Sequence, residues 1–293
     1  MNKFINRSGH TLVELLFAIS IIGIILGIAI PAVFKVKQIA DRLFCLSKLR
    51  DIGISLHNYE SANNKYPPVA KYFGKGEGCL LGWHVLLLPY LGENPLYIDT
   101  LNASNIDPNP FNSPPHTTLS SVVKPFVCSS DSRLLKPQID PYGNSVSFSS
   151  YIGIAGIDGH SGFFQPSGIK HSQIFDGLSN TIAVGERPPP GTYQAGIWYS
   201  GKVGYGSKPN GPNGIIAPGG GSFSIDLSCA SDRRFFGPGA VGNPCDRQHL
   251  WSLHPGGVNF LFCDGSVRFI SYSFEDRIGH LLTTSGGEAN EFP

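Results

Sequence analysis

The chain has little charge and almost no excess of either sign. Charged residues make up 15% of its 293 residues, and 22 basic against 21 acidic side chains leave a net charge of +1. The lack of a basic excess argues against nucleic acid as a partner. Glycine and proline are abundant instead, with 36 and 23 residues, which predicts many turns. Aromatic residues at 11% are sufficient for a core and argue against global disorder.

Motifs of common enzymes and metal sites are also missing. The six cysteines contain no C-x-x-C pair, which argues against a zinc ribbon or a thioredoxin-like site. There is no G-x-S-x-G, no H-E-x-x-H and no phosphate-binding glycine loop. We therefore predict no enzyme activity, no catalytic residue, no cofactor and no metal. Disulfides become possible if the domain is exported, and their pairing stays open. Cys263 lies in an alternating strand pattern and is predicted to be a buried free thiol, which leaves another cysteine unpaired.

A long apolar run follows a short polar leader at the N-terminus. Residues 11–30 are apolar apart from Thr11, Glu14 and Ser20, and about 20 such residues cross a bilayer as a helix. A secretory signal peptide has a shorter apolar region and a small-x-small cleavage site, which is absent where this run ends at Pro31. A plain membrane anchor leaves Glu14 unexplained, because a carboxylate inside an apolar helix costs a few kcal/mol.

The segment Gly9-His10-Thr11-Leu12-Val13-Glu14-Leu15-Leu16 resembles the type IV prepilin cleavage and methylation signal. The resemblance implies that a membrane prepilin peptidase cuts after Gly9 and methylates the new amine of His10, which stands where most members have phenylalanine. It also implies that Glu14, the fifth mature residue, attracts the N-terminal amine of a neighbouring subunit during assembly. Pro31 fits a proline that pilin helices commonly carry.

The helical pattern continues beyond the apolar run. Apolar residues recur at steps of three or four and predict one stripe, formed by Val36, Ile39, Leu43, Leu46, Leu49, Ile52 and Leu56. The helix is predicted to end near residues 61–64, before Pro67, and to be about 75 Å long. We divide the chain into a leader (1–9), a transmembrane half-helix (10–33), an amphipathic stem (34–64) and an exported globular domain (65–293).

The remaining sequence predicts an α+β, pilin-like fold, in which the long helix packs on a mainly antiparallel sheet with long loops. We expect a short helix over 83–91 broken at Pro89, a surface loop over 100–121, and an irregular segment over 188–222. Strands are predicted over 123–128, 147–155 and 180–185. Asp264-Gly265 between two apolar arms is a strong hairpin pattern, which predicts a C-terminal hairpin over 257–271.

The C-terminal region contains a motif made of His254, nine further residues and then Asp264-Gly265. This motif resembles one found in a bacterial family of prepilin-like proteins. The C-terminal domain of that family has no established function and bears a His-x9-Asp-Gly motif. Other matching phrases include Phe126-Val127-Cys128, the segment around Asp176-Gly177, and Gly185-Glu186-Arg187. We predict structural roles: Asp176 and Asp264 cap the turns made by Gly177 and Gly265, and His254 hydrogen-bonds a loop backbone. Asp176, Asn180 and Asp264 offer hard oxygen ligands, but we predict no metal there.

The sequence therefore predicts a structural pseudopilin, a subunit of a type II secretion or type IV pilus-like assembly. Its expected partners are the prepilin peptidase and other pilin-like subunits, contacted through the N-terminal helix. We expect a single pass through the cytoplasmic (inner) membrane, with the N-terminus cytoplasmic and the C-terminal domain periplasmic or otherwise extracytoplasmic. The alternative is a membrane-tethered binding module, for example for polysaccharide, that uses aromatic residues such as Tyr193, Trp198 and Tyr205.

Overall fold

A computed structural model describes residues 11–74, 78–191, 196–201, 215–216, 236–243, 245–246 and 249–286. The chain forms two compact units, Met1–Leu43 and Phe44–Pro293. The leader, Gly9 and His10 lie outside the described residues, as does most of the irregular segment predicted over 188–222.

The first long element is helix α1, Leu12–Asn63, a single helix of 52 residues with Pro31 inside it. Its end agrees with the prediction from sequence, and Asn64 follows with a left-handed φ of 58°, a conformation that asparagine tolerates at helix ends. From Thr11 to Ile39 every residue is exposed. By length and composition α1 is able to cross a membrane, as its apolar residues predicted.

The second part of α1 buries one stripe, which begins later than predicted. Leu49, Ile52 and Leu56 are buried as expected, and they are joined by Cys45, Gly53, Ser55 and Tyr59. Three of the four earlier members of the predicted stripe are exposed, namely Val36, Ile39 and Leu43, and the fourth, Leu46, is half-buried. Val36, Ile39 and Leu43 are exposed like the residues before them, and periodicity alone could not show where burial of the stripe begins.

A five-stranded sheet forms the centre of the globular unit. The strands are β5 (Tyr151–Ile154), β6 (Ile182–Glu186), β7 (Ile215–Ile216), β8 (Gly257–Phe262) and β9 (Val267–Ser271). Their spatial order is β7-β5-β6-β8-β9. Three neighbouring pairs are antiparallel, namely β5 with β6, β6 with β8, and β8 with β9. β7 pairs parallel to β5. The α+β class, the mainly antiparallel sheet and the C-terminal hairpin are therefore confirmed.

The two faces of the sheet contact different apolar clusters. On β8, Leu261 belongs to the cluster that contains the α1 stripe, whereas Val258 and Phe260 belong to a cluster with Ile278 and Leu281. This alternation is the period of two expected of a strand. The sheet approaches α1 closely because Gly53 has no side chain: a Cβ there would lie 2.7 Å from Leu261 Cδ1.

Smaller elements surround this centre. β1 (Ala70–Phe73) pairs with β2 (Cys79–Gly82), and β3 (Gln138–Ile139) pairs with β4 (Ser145–Val146). Helix α2 (Trp83–Leu87) runs into a 3-10 turn at Leu88–Leu91, close to the predicted broken helix.

Two predictions of local structure are wrong. The segment 100–121 is not one loop, because helix α3 spans Asn94–Ile106. The predicted strand over 123–128 contains a 3-10 turn at Lys124–Phe126, with its proline in the first turn. Proline has no N–H for a strand ladder and a backbone φ that suits the start of a helix, which explains the second error.

Candidate functional site

The start of α1 places Glu14 in a reciprocal cap. The backbone N–H of Thr11 donates to Glu14 Oε2 at 2.9 Å, and the N–H of Glu14 donates to Thr11 Oγ1 at 3.3 Å. This is a capping box, which satisfies backbone donors that the first helical turn cannot pair internally. The T-x-x-E pattern is visible in the sequence and would have predicted it. Glu14 thus has a local role in its own chain in addition to the assembly role predicted from the resemblance.

The Asp264-Gly265 turn connects β8 and β9 as a tight hairpin. Gly265 has φ +83°, a value that favours glycine. Asp264 Oδ1 accepts a hydrogen bond from the N–H of Ser266 at 2.8 Å, and its Oδ2 lies 3.5 Å from Arg268 Nη2. The backbone N–H of Asp264 donates to Leu178 O at 3.1 Å. The Asp264 side chain therefore braces the turn that joins the two strands.

Asp176 joins distant parts of the chain. Gly177 has φ +90°, and Asn180 Nδ2 donates to the carbonyl of Asp176 at 3.2 Å. The carboxylate itself accepts from the N–H of Gly286 at 2.6 Å and from Thr283 Oγ1 at 3.4 Å. This long-range contact was not predicted, because an Asp-Gly pair by itself indicates only a local turn.

His254 is buried beside two cysteines and a carboxylate. Its Nε2 lies 3.6 Å from Cys128 Sγ and 3.4 Å from Glu186 Oε1. The His254 and Glu186 side chains are each only 2% exposed. Cys128 is bonded to Cys45 in a disulfide that spans 83 positions of sequence. The imidazole Nε2 thus faces sulfur and carboxylate, whereas the sequence predicted a hydrogen bond to a loop backbone.

We call Cys45, Cys128, Glu186 and His254 the His254 cluster. Their ligand-type atoms all lie within 4.8 Å of one another, and all four residues are buried. They come from α1, the segment after the Lys124–Phe126 turn, the end of β6 and the loop before β8. Glu186 belongs to a phrase that the family resemblance highlighted, but nothing local in the sequence indicated that it meets the other three.

Asn259 and Ser252 hold the polar members of the cluster in place. Asn259 donates from its backbone N–H to Glu186 Oε2 and from its Nδ2 to Glu186 Oε1, both at 3.0 Å. Ser252 Oγ accepts from the N–H of His254 at 3.0 Å and donates to Gly257 O at 2.7 Å. Both carboxylate oxygens and the loop that carries the imidazole are therefore fixed by neighbours.

His254 and Asp264 lie at opposite ends of β8. The strand between them has six residues, which at about 3.3 Å per residue is about 20 Å long. Proton transfer needs hydrogen-bond reach or one bridging water, so these two residues do not form a catalytic dyad. Of the three motif positions considered together in the sequence, His254 lies apart from Asp264, whose backbone N–H donates to Leu178 O in the turn that Asp176 begins.

The remaining described cysteines differ in state. Cys79 and Cys263 are buried free thiols, which confirms the prediction for Cys263, and Cys245 is in a disulfide. Burial raises the pKa of the Cys263 thiol well above its usual value, with Asp264 adding to the shift. A thiol that stays protonated is a poor nucleophile and a poor metal ligand, so Cys263 serves packing.

His84 is fully buried beside the aromatic core. Burial lowers its pKa to about 3, although a hydrogen bond with the Tyr151 carbonyl acts in the opposite direction. Its Nε2 lies 3.2 Å from that carbonyl oxygen, so the neutral ring with a proton on Nε2 donates there. Trp83 stacks on the ring with centroids 3.8 Å apart. His84 is thus a neutral core residue.

The alternative of an aromatic binding surface loses one of its three residues. Trp198 is fully buried, its Nε1 donates to Ser121 O at 3.0 Å, and its ring packs near Phe126. The indole therefore anchors a loop to the core, and Trp198 is not available to a binding surface. Tyr193 and Tyr205 lie outside the described residues.

Comparison with protein families gives two matches. Residues 5–30 match the prokaryotic N-terminal methylation motif, which is the predicted type IV prepilin signal. Residues 35–277 match a family described as a protein of unknown function (DUF1559), and this match covers most of the chain. No curated protein and no solved structure was found to match. The chain therefore belongs to the DUF1559 family and carries the N-terminal methylation signal of an exported, type IV pilin-like protein.

Proposed function

We propose that this protein is a structural subunit of a type II secretion or type IV pilus-like assembly, which it enters after cleavage between Gly9 and His10. The observation that supports this most is a prepilin-type signal at the head of an apolar helix whose residues 11–39 are all exposed. A helix this apolar needs lipid or like helices around it. Neighbouring pilin-like subunits supply such helices.

The proposed topology follows from the same segment. The leader with Lys3 and Arg7 stays in the cytoplasm, the helix crosses the inner membrane once, and the globular unit lies on the periplasmic side. Disulfides persist in that oxidising compartment and are rare in the cytosol, and the Cys45–Cys128 bond suits it. The role is structural, and none of the described motif residues is assigned to catalysis.

In this proposal Glu14 acts in assembly through its charge. It caps its own helix before assembly, and its carboxylate then attracts the His10 amine of the neighbouring subunit. A charge pair gains strength in a low-dielectric environment and offsets the cost of burying either partner alone.

Three variants separate charge from capping. Glu14→Gln keeps an oxygen that accepts from the Thr11 N–H but removes the charge, Glu14→Ala removes both, and Thr11→Ala keeps the charge while losing the hydroxyl of the cap. We expect cross-linked assemblies in native membranes to fall at least about tenfold for both Glu14 variants. Thr11→Ala should retain them, since a lost cap costs only about 1 kcal/mol.

The first measurement is the intact mass and N-terminal peptide of the protein from membranes. A chain that begins at His10 shows processing, and one that begins at Met1 refutes the proposed maturation. If Glu14→Gln assembles like the wild type while Glu14→Ala does not, Glu14 acts by capping alone and the proposed charge pairing is wrong.

A further inference from the structure

We propose that the His254 cluster becomes a metal site in the reduced form of the chain. When the Cys45–Cys128 disulfide is reduced, the four side chains bind one zinc-type divalent cation. The oxidised chain holds the disulfide and the reduced chain holds the metal, so the two states exclude each other. The inference does not depend on the proposed role in assembly.

The composition of the cluster matches the preferences of zinc. Thiolate, imidazole and carboxylate are its usual ligands, and structural zinc sites are almost always tetrahedral with four protein ligands. The cluster offers two sulfurs, one nitrogen and one carboxylate oxygen within 4.8 Å of one another. All four residues are buried, as a closed structural site requires.

Two of the distances within the cluster match those of a tetrahedral zinc site. Bond lengths of about 2.3 Å to sulfur and about 2.0–2.1 Å to nitrogen or oxygen place neighbouring ligands about 3.6 Å apart for sulfur and nitrogen. The same bond lengths place nitrogen and oxygen about 3.3 Å apart. In the structure, Cys128 Sγ and His254 Nε2 are 3.6 Å apart, and His254 Nε2 and Glu186 Oε1 are 3.4 Å apart. The main change needed for binding is separation of the two sulfurs by side-chain rotation.

A disulfide alone does not require these neighbours. Burying a histidine and a carboxylate side by side carries a desolvation cost that their attraction often fails to offset. Glu186 and His254 are nevertheless both buried, with His254 Nε2 beside Cys128 Sγ and a Glu186 oxygen within 4.8 Å of both sulfurs. Asn259 fixes the carboxylate with two hydrogen bonds. Such outer contacts orient ligands in metal sites, and Asn259 is therefore the positioning residue of the cluster.

The chemistry balances with a dithiol as reductant. Thiol–disulfide exchange transfers two electrons and two protons to the Cys45–Cys128 bond and leaves the dithiol as its own disulfide. Binding of the cation then displaces the two thiol protons, because thiolates are the ligands, while neutral His254 and ionised Glu186 complete the set. Oxidation by a disulfide of the same class reverses these steps and releases the cation.

The test uses the full chain in detergent, in an oxidised form and in a form produced and kept under reducing conditions. Zinc is counted by elemental analysis, and Co²⁺ serves as the spectroscopic probe. We expect about one cation per reduced chain, thiolate-to-cobalt charge-transfer absorption with tetrahedral d–d bands, and no stoichiometric cation on the oxidised chain. His254→Ala should weaken binding at least about 100-fold, and Asn259→Ala about 10- to 100-fold.

Matched controls use residues outside the cluster. Cys263→Ala removes a buried free thiol and Cys245→Ala removes a cysteine of another disulfide, while His171→Ala removes an exposed histidine. All three should bind like the wild type. Near-ultraviolet circular dichroism of each oxidised variant checks that it folds.

Three results would overturn the proposal. One is a reduced chain that takes up no stoichiometric zinc, although alkylation of a parallel metal-free sample shows that Cys45 and Cys128 are both thiols. Another is unchanged affinity in His254→Ala. The third is a reduced chain that remains unfolded when zinc is present, because a built site couples metal binding to folding.

Discussion

The Cys45–Cys128 disulfide should be the largest single contribution to the stability of the globular unit. It links α1 to the segment that follows the Lys124–Phe126 turn and closes a loop across 83 positions of sequence. The chain-entropy relation gives about 4.5 kcal/mol for a loop of this length at 25 °C. The double variant Cys45→Ala/Cys128→Ala should therefore lose about 4–5 kcal/mol, or about 10–15 °C in midpoint temperature.

The assay is denaturant unfolding of the full chain in detergent, followed by tryptophan fluorescence. Trp83, Trp198 and Trp251 are all buried, so unfolding should change their emission strongly. Cys79→Ala is the matched control, since it deletes a buried thiol that is not in a disulfide and should cost about 1 kcal/mol. If the double variant loses no more than this control, the loop-closure reasoning is refuted.

Two further predictions concern the core. His84, whose pKa is about 3 in the folded chain, binds fewer protons there than when unfolded. Stability should therefore fall as pH drops from 6.5 towards 3, by up to about 1.4 kcal/mol per pH unit, and unfolding at pH 5 and pH 7 should show a smaller fall in His84→Gln. Gly257→Ala should lower the free energy of unfolding by about 2–4 kcal/mol, because its Cβ would lie 2.1 Å from Ile270 O. The control is Gly242→Ala, whose Cβ would meet nothing within 4 Å and which should leave the midpoint of thermal unfolding unchanged.

The sequence predicted those elements that are determined by residues close together in the chain. The membrane-type run, the end of α1 and the hairpin at Asp264-Gly265 depend on composition, periodicity and turn chemistry within a few residues. Helix α3 was missed for a physical reason as well. Its buried residues are Thr100, Ala103 and Ser104, whereas Leu96, Tyr97 and Leu101 are only partly buried against the core. Small and polar residues therefore occupy much of its inner face, and only the proline in its first turn marked its start.

The His254 cluster could not be predicted in this way. Its members stand at positions 45, 128, 186 and 254, and no spacing rule connects a helix residue to residues on three other elements. The family resemblance drew attention to the segments that contain His254 and Glu186. It could not indicate that they meet, because that depends on how β6 and the loop before β8 lie against α1.

The spacing of the His-x9-Asp-Gly motif has a mechanical explanation in this fold. At one end of β8, His254 lies within 4.8 Å of the Cys45 sulfur on α1. At the other end, a Cβ on Gly265 would lie 3.4 Å from His57 Nε2, also on α1. Twelve helical residues from 45 to 57 rise about 18 Å, close to the roughly 20 Å of a six-residue strand. His254 and Gly265 therefore reach α1 at two points twelve residues apart, with β8 between them, and a one-residue change in the spacing would exchange the two faces of the strand.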